Sequence, residues 1–342
     1  MIKRLNNPLF IFYAFSIALT YFSYPKYTAW MDNTPFKYDA AMYYSYVEAA
    51  FVYNDLTFSF PGSENYGFSK SENGRNVPKM TMGVSLFQTP FFFLADHIAR
   101  AQGYPLNGHS EPYKWIIHFG ALFYVLSGFY FLYYGLLNFI NKWISILTCF
   151  AILYGTNLFY YSFGFNQMSH GYLFFLGCLI MYTALKWNTL EDVKYLYCCS
   201  FFIGFATLVR PTEVVWALVP LLIGTINSRS IKARFAFFFN NKKVLISCIS
   251  FFLIPLMPQL FFWKIQTGKW FFYSYNDEGF FFFDPKFFQT LLSYHNGMLP
   301  YSPLLIFAIF GIIAVFFKQR NIFNMSLVFF IINTYILSSW WI

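Results

Sequence analysis

Asp39, Lys79, His170 and Arg210 are the side chains of this sequence whose types and settings could do chemistry together. Asp39 stands in a stretch, residues 25–113, that also holds Asp32, Glu48, Asp55, Glu64, Glu72, Asp96 and Glu111, most of the chain's 14 acids. Lys79 lies in Pro78-Lys79-Met80-Thr81-Met82-Gly83, His170 in Met168-Ser169-His170, and Arg210 in Arg210-Pro211-Thr212-Glu213. A carboxylate that can take a proton, with separate cations that can hold a phosphate, suits transfer of a group from a phosphorylated lipid. The base must stand beside the incoming nucleophile. The departing phosphate needs fixed positive charge where negative charge develops. Asp39, Tyr43, Tyr46 and Ala50 recur at helical spacing, so they share one face of a helix expected over about 39–54. Glu48 falls about 180° around that helix from Asp39. The two are therefore no carboxylate couple, and with Asp39 working alone Glu48 is expected to be solvated.

The elements that position these groups are membrane helices. The chain is 58% hydrophobic and 25% aromatic with only 11% charged residues. Soluble domains run at roughly 45–50% apolar and 25% charged, and 50 Phe with 28 Tyr would not hide in a soluble core of this length. Apolar runs at 8–24, 115–137, 143–161, 171–187, 196–209, 214–226, 244–263, 304–317 and 322–341 approach the ~20 residues that cross a bilayer. Helices satisfy their own backbone groups in lipid, so the expected fold is an all-α polytopic membrane protein of about nine spans. It forms one domain over 1–342: a first span at 8–24, a large outer loop at 25–113, and the remaining spans from 114 onward.

A net charge of +9 could suggest a nucleic-acid partner, but its distribution argues against one. Lys3 and Arg4 precede the first span, and alternate loops carry Lys142, then Lys186 and Lys194, then the run at 229–243, then Lys318 and Arg320. Those loops hold only the acids Glu191 and Asp192. Short loops rich in Lys and Arg stay cytoplasmic. The run at 229–243 is thus a topology signal beside anionic lipid, and membrane lipids are the expected partners of the basic face. The N-terminus is placed in the cytoplasm and the acidic loop outside. The first span lacks a small-x-small cleavage site and reads as an uncleaved anchor. Cys149, Cys178, Cys198, Cys199 and Cys248 lie in or beside spans, which supports neither disulfides nor a thiolate metal site.

Two segments need separate treatment. Residues 83–102 look apolar, yet Pro90, Asp96, His97 and Arg100 spoil a span, because ions in lipid cost roughly 2.5–3.5 kcal/mol each. They are expected as a second interfacial helix of the outer loop. Arg210-Pro211 interrupts the apolar stretch 195–224, where proline cannot continue the hydrogen-bond ladder. Two short helices meeting near the outer surface, with Arg210 at the junction, are expected there.

The order of these features resembles a known group. Tyr38-Asp39-x-x-x-Tyr43-Tyr44 follows the first span, and Lys79-x-x-x-Gly83 leads into Thr89-Pro90-Phe91-Phe92-Phe93. Then come Tyr154-Gly155-Thr156-Asn157, Met168-Ser169-His170, Leu208-Val209-Arg210-Pro211-Thr212 and Gly297-x-x-x-Tyr301-Ser302-Pro303. Together they resemble the GT-C membrane glycosyltransferases, in the branch of protein O-mannosyltransferases and aminoarabinose transferases. The resemblance implies inverting transfer of a sugar from a polyprenyl-phosphate donor to a glycan, lipid or protein acceptor on the outer face of a cytoplasmic membrane. By that resemblance Asp39 is the general base. Lys79 and Arg210 contact donor phosphate, and Tyr43 and His170 line the substrate site. Lys79 is followed by Met80 and Thr81, where the group carries Tyr and Pro. Its members also continue past the position of Ile342, so a C-terminally truncated domain is expected.

Plainer roles compete with each of these. Lys79 could be an interface anchor, Arg210 could satisfy carbonyls at a helix break, and His170 could cap a span. No cofactor is expected. Asp277, Glu278 and Asp284 could hold a divalent metal with Asp39, but they lack a coordination pattern. No phosphate-cradling Gly-rich loop appears. A transporter or lipid flippase would place paired half-helices and charges at mid-membrane, and a membrane assembly protein would need no acid in a cavity.

Overall fold

The computed structural model describes residues 7–28, 36, 38–275, 277–295 and 297–340. Lys3, Arg4 and Asp32, which enter the sequence reading, lie outside them. The described chain is helical apart from one short hairpin. In order it forms α1 (Pro8–Thr28), α2 (Asp39–Val47), strands β1 (Ser69–Lys70) and β2 (Asn76–Val77), α3 (Gly83–Gln102), α4 (Glu111–Leu136), α5 (Lys142–Gly155), α6 (Ser169–Leu190) and α7 (Val193–Val209). There follow α8 (Leu218–Leu222), α9 (Ser228–Asn240), α10 (Lys242–Leu253), α11 (Met257–Thr267), α12 (Phe287–Leu292), α13 (Met298–Tyr301), α14 (Ile306–Lys318) and α15 (Arg320–Ser339). Among the described residues four helices are long and apolar enough to cross a membrane: Glu111–Leu136, Ser169–Leu190, Lys242–Thr267 and Arg320–Ser339. Five shorter apolar helices accompany them, at Pro8–Phe22, Lys142–Gly155, Val193–Val209, Pro211–Leu222 and Pro303–Lys318.

Side-chain pairings fix the relative directions of the helices. Phe12 meets Phe150 and Phe15 meets Tyr154, so α1 runs parallel to α5. Gly128 faces Phe174 and Phe175 while Gly135 faces Leu185, which makes α4 parallel to α6. Phe87 touches both Tyr172 and Phe205, and Cys199 reaches the Ile180 carbonyl, so α6 and α7 are antiparallel. Trp216 packs on Phe329 and the Gly224 amide donates to Asn321 O, which sets α15 against the Pro211–Leu222 segment. These directions bring the start of α6, the end of α7 and the end of α15 to one end of the bundle. Lys142, Lys186, Lys194 and Arg320 fall at the other.

Gly204 permits the tightest helix crossing. A Cβ there would stand 2.0 Å from the Phe252 carbonyl oxygen, so α7 and α10 meet backbone to backbone. Pro255 and Pro258 follow; Pro255 sits within one 3₁₀ turn (Ile254–Leu256), and Pro258 in the first turn of α11. Proline removes the amide the ladder needs, which accounts for the irregular turn.

Three points go beyond the sequence reading. The 83–102 segment is the expected helix, and it is packed against a neighbour. Phe92 packs on Tyr113 and Phe87 on Tyr124, so α3 lies antiparallel along the first half of α4. Its apolar ridge (Val84, Phe87, Phe92, Ala95, Ala99) is buried there, which outweighs the polar face of Asp96, His97 and Arg100. The basic run at 229–243 is largely helix α9 rather than loop. Asn227 and Ser230 close a reciprocal cap at its start, and Arg234 stacks over Trp187 at 4.2 Å while donating to Ile223 O. The third point is a correction and concerns Glu48, expected to be solvated. It opens a π-helical turn, Glu48–Val52, and its carboxylate is buried at 1% exposure. The Tyr66 hydroxyl donates to Glu48 Oε2 at 2.5 Å and His109 Nε2 stands 2.5 Å from Oε1. A buried carboxylate needs partners, and these two side chains supply them.

Candidate functional site

The site is assembled at the bundle end where α6 begins and α7 finishes. Helix α7 stops at Val209 because Arg210 is extended (φ −146°, ψ 124°) and Pro211 then starts a 3₁₀ segment, Pro211–Ala217. Arg210 therefore projects from a break, as the sequence places it. Segment 79–83 crosses over this break. The Thr81 hydroxyl donates to Leu208 O at 2.5 Å, and Gly83 presses on Val209, where a Cβ would lie 2.6 Å from Val209 Cα. From the other side the Met82 amide donates to Gln259 Oε1 at 2.8 Å. The backbone just after Lys79 is thus held on the end of α7 by contacts on both flanks.

Helix α2 covers the break. Asp39 opens it, half-buried in its first turn, where unsatisfied backbone amides favour a carboxylate. One turn on, Tyr43 is 2% exposed, and its phenol lies within electrostatic range of Arg210. The Ser85 hydroxyl donates to Tyr43 O, and the Tyr46 hydroxyl donates to Met80 O at 2.9 Å. Together these bonds fix α2 on the 79–85 segment.

The loop after α11 closes the fourth side. Lys79 Nζ pairs with Glu278 Oε1 at 2.6 Å, the two side chains being 27% and 37% exposed. The same ammonium sits 5.2 Å from the centroid of the Tyr275 ring. The Ser274 hydroxyl donates to Lys79 O at 2.6 Å, and Ser69 Oγ donates to Ser274 O at 2.8 Å, which ties loop, hairpin and Lys79 together. The Tyr275 hydroxyl points at Met80 Sδ, 3.4 Å away. It lies within electrostatic range of Tyr43, Arg210, Asp39 and Glu278. Burial first, and then neighbouring Tyr43, raise this phenol above its ordinary range, so it stays protonated at neutral pH.

Of the residues singled out in the sequence, Lys79 stands over the ring of Tyr275, and Asp39, Tyr43 and Arg210 lie within electrostatic range of its hydroxyl. His170 joins from the start of α6. Its ring stacks on Tyr161 at 3.8 Å, and it lies within electrostatic range of Arg210. Glu213 also lies near Arg210 and accepts from Trp216 Nε1 at 2.9 Å. The arrangement gathers three acids (Asp39, Glu213 and Glu278), two cations and two phenols near one another. That set can take a proton at one point and hold an anion at another.

Two of the three loop acids named as possible metal ligands form ion pairs. Glu278 pairs with Lys79 and Asp284 with Lys286. Among the described residues no group of three His, Cys, Asp or Glu side chains is placed to share a metal ion. Tyr275 is the member of the site that sequence reasoning did not single out. It sits among many loop aromatics, and no local spacing marks it. Glu278 was considered only for a metal, and its partner Lys79 is far away in the chain. Comparison with protein-family models, curated proteins and solved structures found no match.

Proposed function

We propose that this chain is a membrane glycosyltransferase of GT-C type, with about nine spans, that uses a polyprenyl-phosphate sugar and works on the outer side of a cytoplasmic membrane. The single observation that carries the reading is that Lys79 stands over the Tyr275 ring while Asp39 and Arg210 lie within electrostatic range of the same residue, at the bundle end away from the short basic loops. In this reading an acceptor hydroxyl enters beside Asp39, which takes its proton as the oxygen attacks the anomeric carbon. The bond from that carbon to the phosphate oxygen breaks, and the electron pair leaves with the polyprenyl phosphate. Lys79 and Arg210 meet the charge that develops on the phosphate. Tyr43, whose phenol lies near the guanidinium, helps to orient it. His170 and Tyr161 form a stacked wall beside Arg210 that fits the flat face of a sugar or the donor's first isoprene. A central ion pathway, which a transporter needs, is less well served by ionic groups gathered at one end of the bundle.

The test is transfer of labelled sugar from polyprenyl phosphate by membranes carrying the protein. Asp39→Asn keeps shape but removes the base, and transfer is expected to fall by about 10²–10⁴-fold. Binding of farnesyl phosphate should persist in that variant. Unchanged transfer would remove Asp39 from the reaction.

A further inference from the structure

The contact between Lys79 and Glu278 poses a question that a phosphate site alone does not answer. A cation meant for phosphate is already paired with a carboxylate at 2.6 Å. The pairing is built by the fold, because the residues lie 199 positions apart. Several bonds hold the acid in this position. The Tyr273 hydroxyl donates to Glu278 O at 2.5 Å, and the Glu278 amide donates to Tyr275 O at 3.1 Å. Ser274 reaches back to Lys79 O. The Glu278 side chain nevertheless keeps 37% exposure, so it can swing outward without breaking those backbone bonds.

We infer that Glu278 is an internal competitor for the phosphate at Lys79: its carboxylate pairs with the ammonium, yields it to the lipid phosphate, and reclaims it after transfer. The inference rests on the phosphate-binding reading given above. Two features fit it. Lys79 would otherwise face a phosphate monoester of about −1.5 to −2 charge, a product that two fixed cations would release slowly. A partly exposed ion pair contributes up to about 1 kcal/mol, small enough for a phosphate bridging Lys79 and Arg210 to break. Glu278 is neither acid nor base in the transfer; it sets how tightly the site keeps its anion.

The experiment measures binding of farnesyl phosphate to the purified full chain in detergent, by titration calorimetry. Glu278→Gln is expected to tighten binding by about threefold to fivefold, while Lys79→Ala weakens it. In the double variant Glu278→Gln/Lys79→Ala the gain should vanish, leaving the affinity of Lys79→Ala alone. A residue that merely braced the loop would give weaker binding when changed. Unchanged or weaker binding in Glu278→Gln therefore overturns the inference. So does an equal gain in the Lys79→Ala background, which would mark a general loss of negative charge. If Lys79→Ala and Arg210→Gln both bind like the unaltered protein, or nothing binds, the phosphate site falls and the inference falls with it. If Lys79→Ala weakens binding but Glu278→Gln does not tighten it, only the competitor role is lost.

Discussion

Gly83→Ala places a methyl group where the 79–83 segment rides over the end of α7. The added Cβ would lie 2.6 Å from both Cα and N of Val209, and ordinary contact begins at 3.4 Å. Backbone cannot swing away as a flexible side chain would, so segment and helix must separate by about 0.8 Å, the shortfall between those distances. Overpacking of this kind costs about 1–3 kcal/mol. Separation also lifts Lys79 relative to Arg210, and misplacement of about 1 Å at a reacting group can cost 10²-fold in rate. Gly135→Ala is the control: its nearest neighbour is Leu185 Cδ1 at 3.7 Å, and Ala is favoured over Gly within a helix by roughly 0.5–1 kcal/mol. Unfolding of the detergent-solubilised protein, followed by tryptophan fluorescence, compares the two variants, and farnesyl phosphate binding reports on the site. Gly83→Ala should be the less stable and the weaker binder. Equal stability of the two variants, with equal binding, would refute the close-approach argument.

Other outcomes follow from particular contacts. Tyr43→Phe removes the phenol oxygen that lies near the Arg210 guanidinium, and farnesyl phosphate binding should weaken by about tenfold; an unchanged affinity would show that Tyr43 does not orient Arg210. Glu48→Ala leaves Tyr66 and His109 without their acceptor and should destabilise the fold by about 2–3 kcal/mol, less than a fully buried pair because His109 is 37% exposed; denaturant titration checks this, and a change under 0.5 kcal/mol (about the scatter of ordinary surface substitutions) would contradict it. Asp55 is held below the usual carboxylate range by the Thr57 hydroxyl first, with help from the Thr57 and Ser59 amides. Its folded pKa is depressed, so its contribution is present above the unfolded value of about 3.9 and is lost as pH falls through the lower folded one. Proteolysis of the 54–60 loop should accelerate only in that acidic window, and Asp55→Asn should abolish the dependence.

The parts of this fold that were legible in the sequence are those written in local pattern. The Asp39–Tyr43 spacing put both residues on one helix, and Pro211 marked the break that aims Arg210. Glu48 was misread because helical angle gives direction and not environment: the side opposite Asp39 meets Tyr66 and His109 rather than water. The packing of α3 on α4 was hidden for a similar reason, since Phe87, Phe91 and Phe92 read as apolar without saying what they face. The ring of Tyr275 and the Lys79–Glu278 pair depend on contacts nearly two hundred positions apart, which no periodicity encodes.

The loop that carries Glu278 continues into the end of α15. The Phe281 amide donates to Ser339 O at 2.6 Å, the Lys286 amide donates to Ser338 O at 2.7 Å, and the Tyr335 hydroxyl donates to Phe282 O at 2.8 Å. Phe280 packs on Trp340 at 4.6 Å. Those bonds rivet loop and helix into one mechanical unit. A displacement of α15 along its axis would therefore carry the 280–286 loop with it, and with that loop the carboxylate beside Lys79.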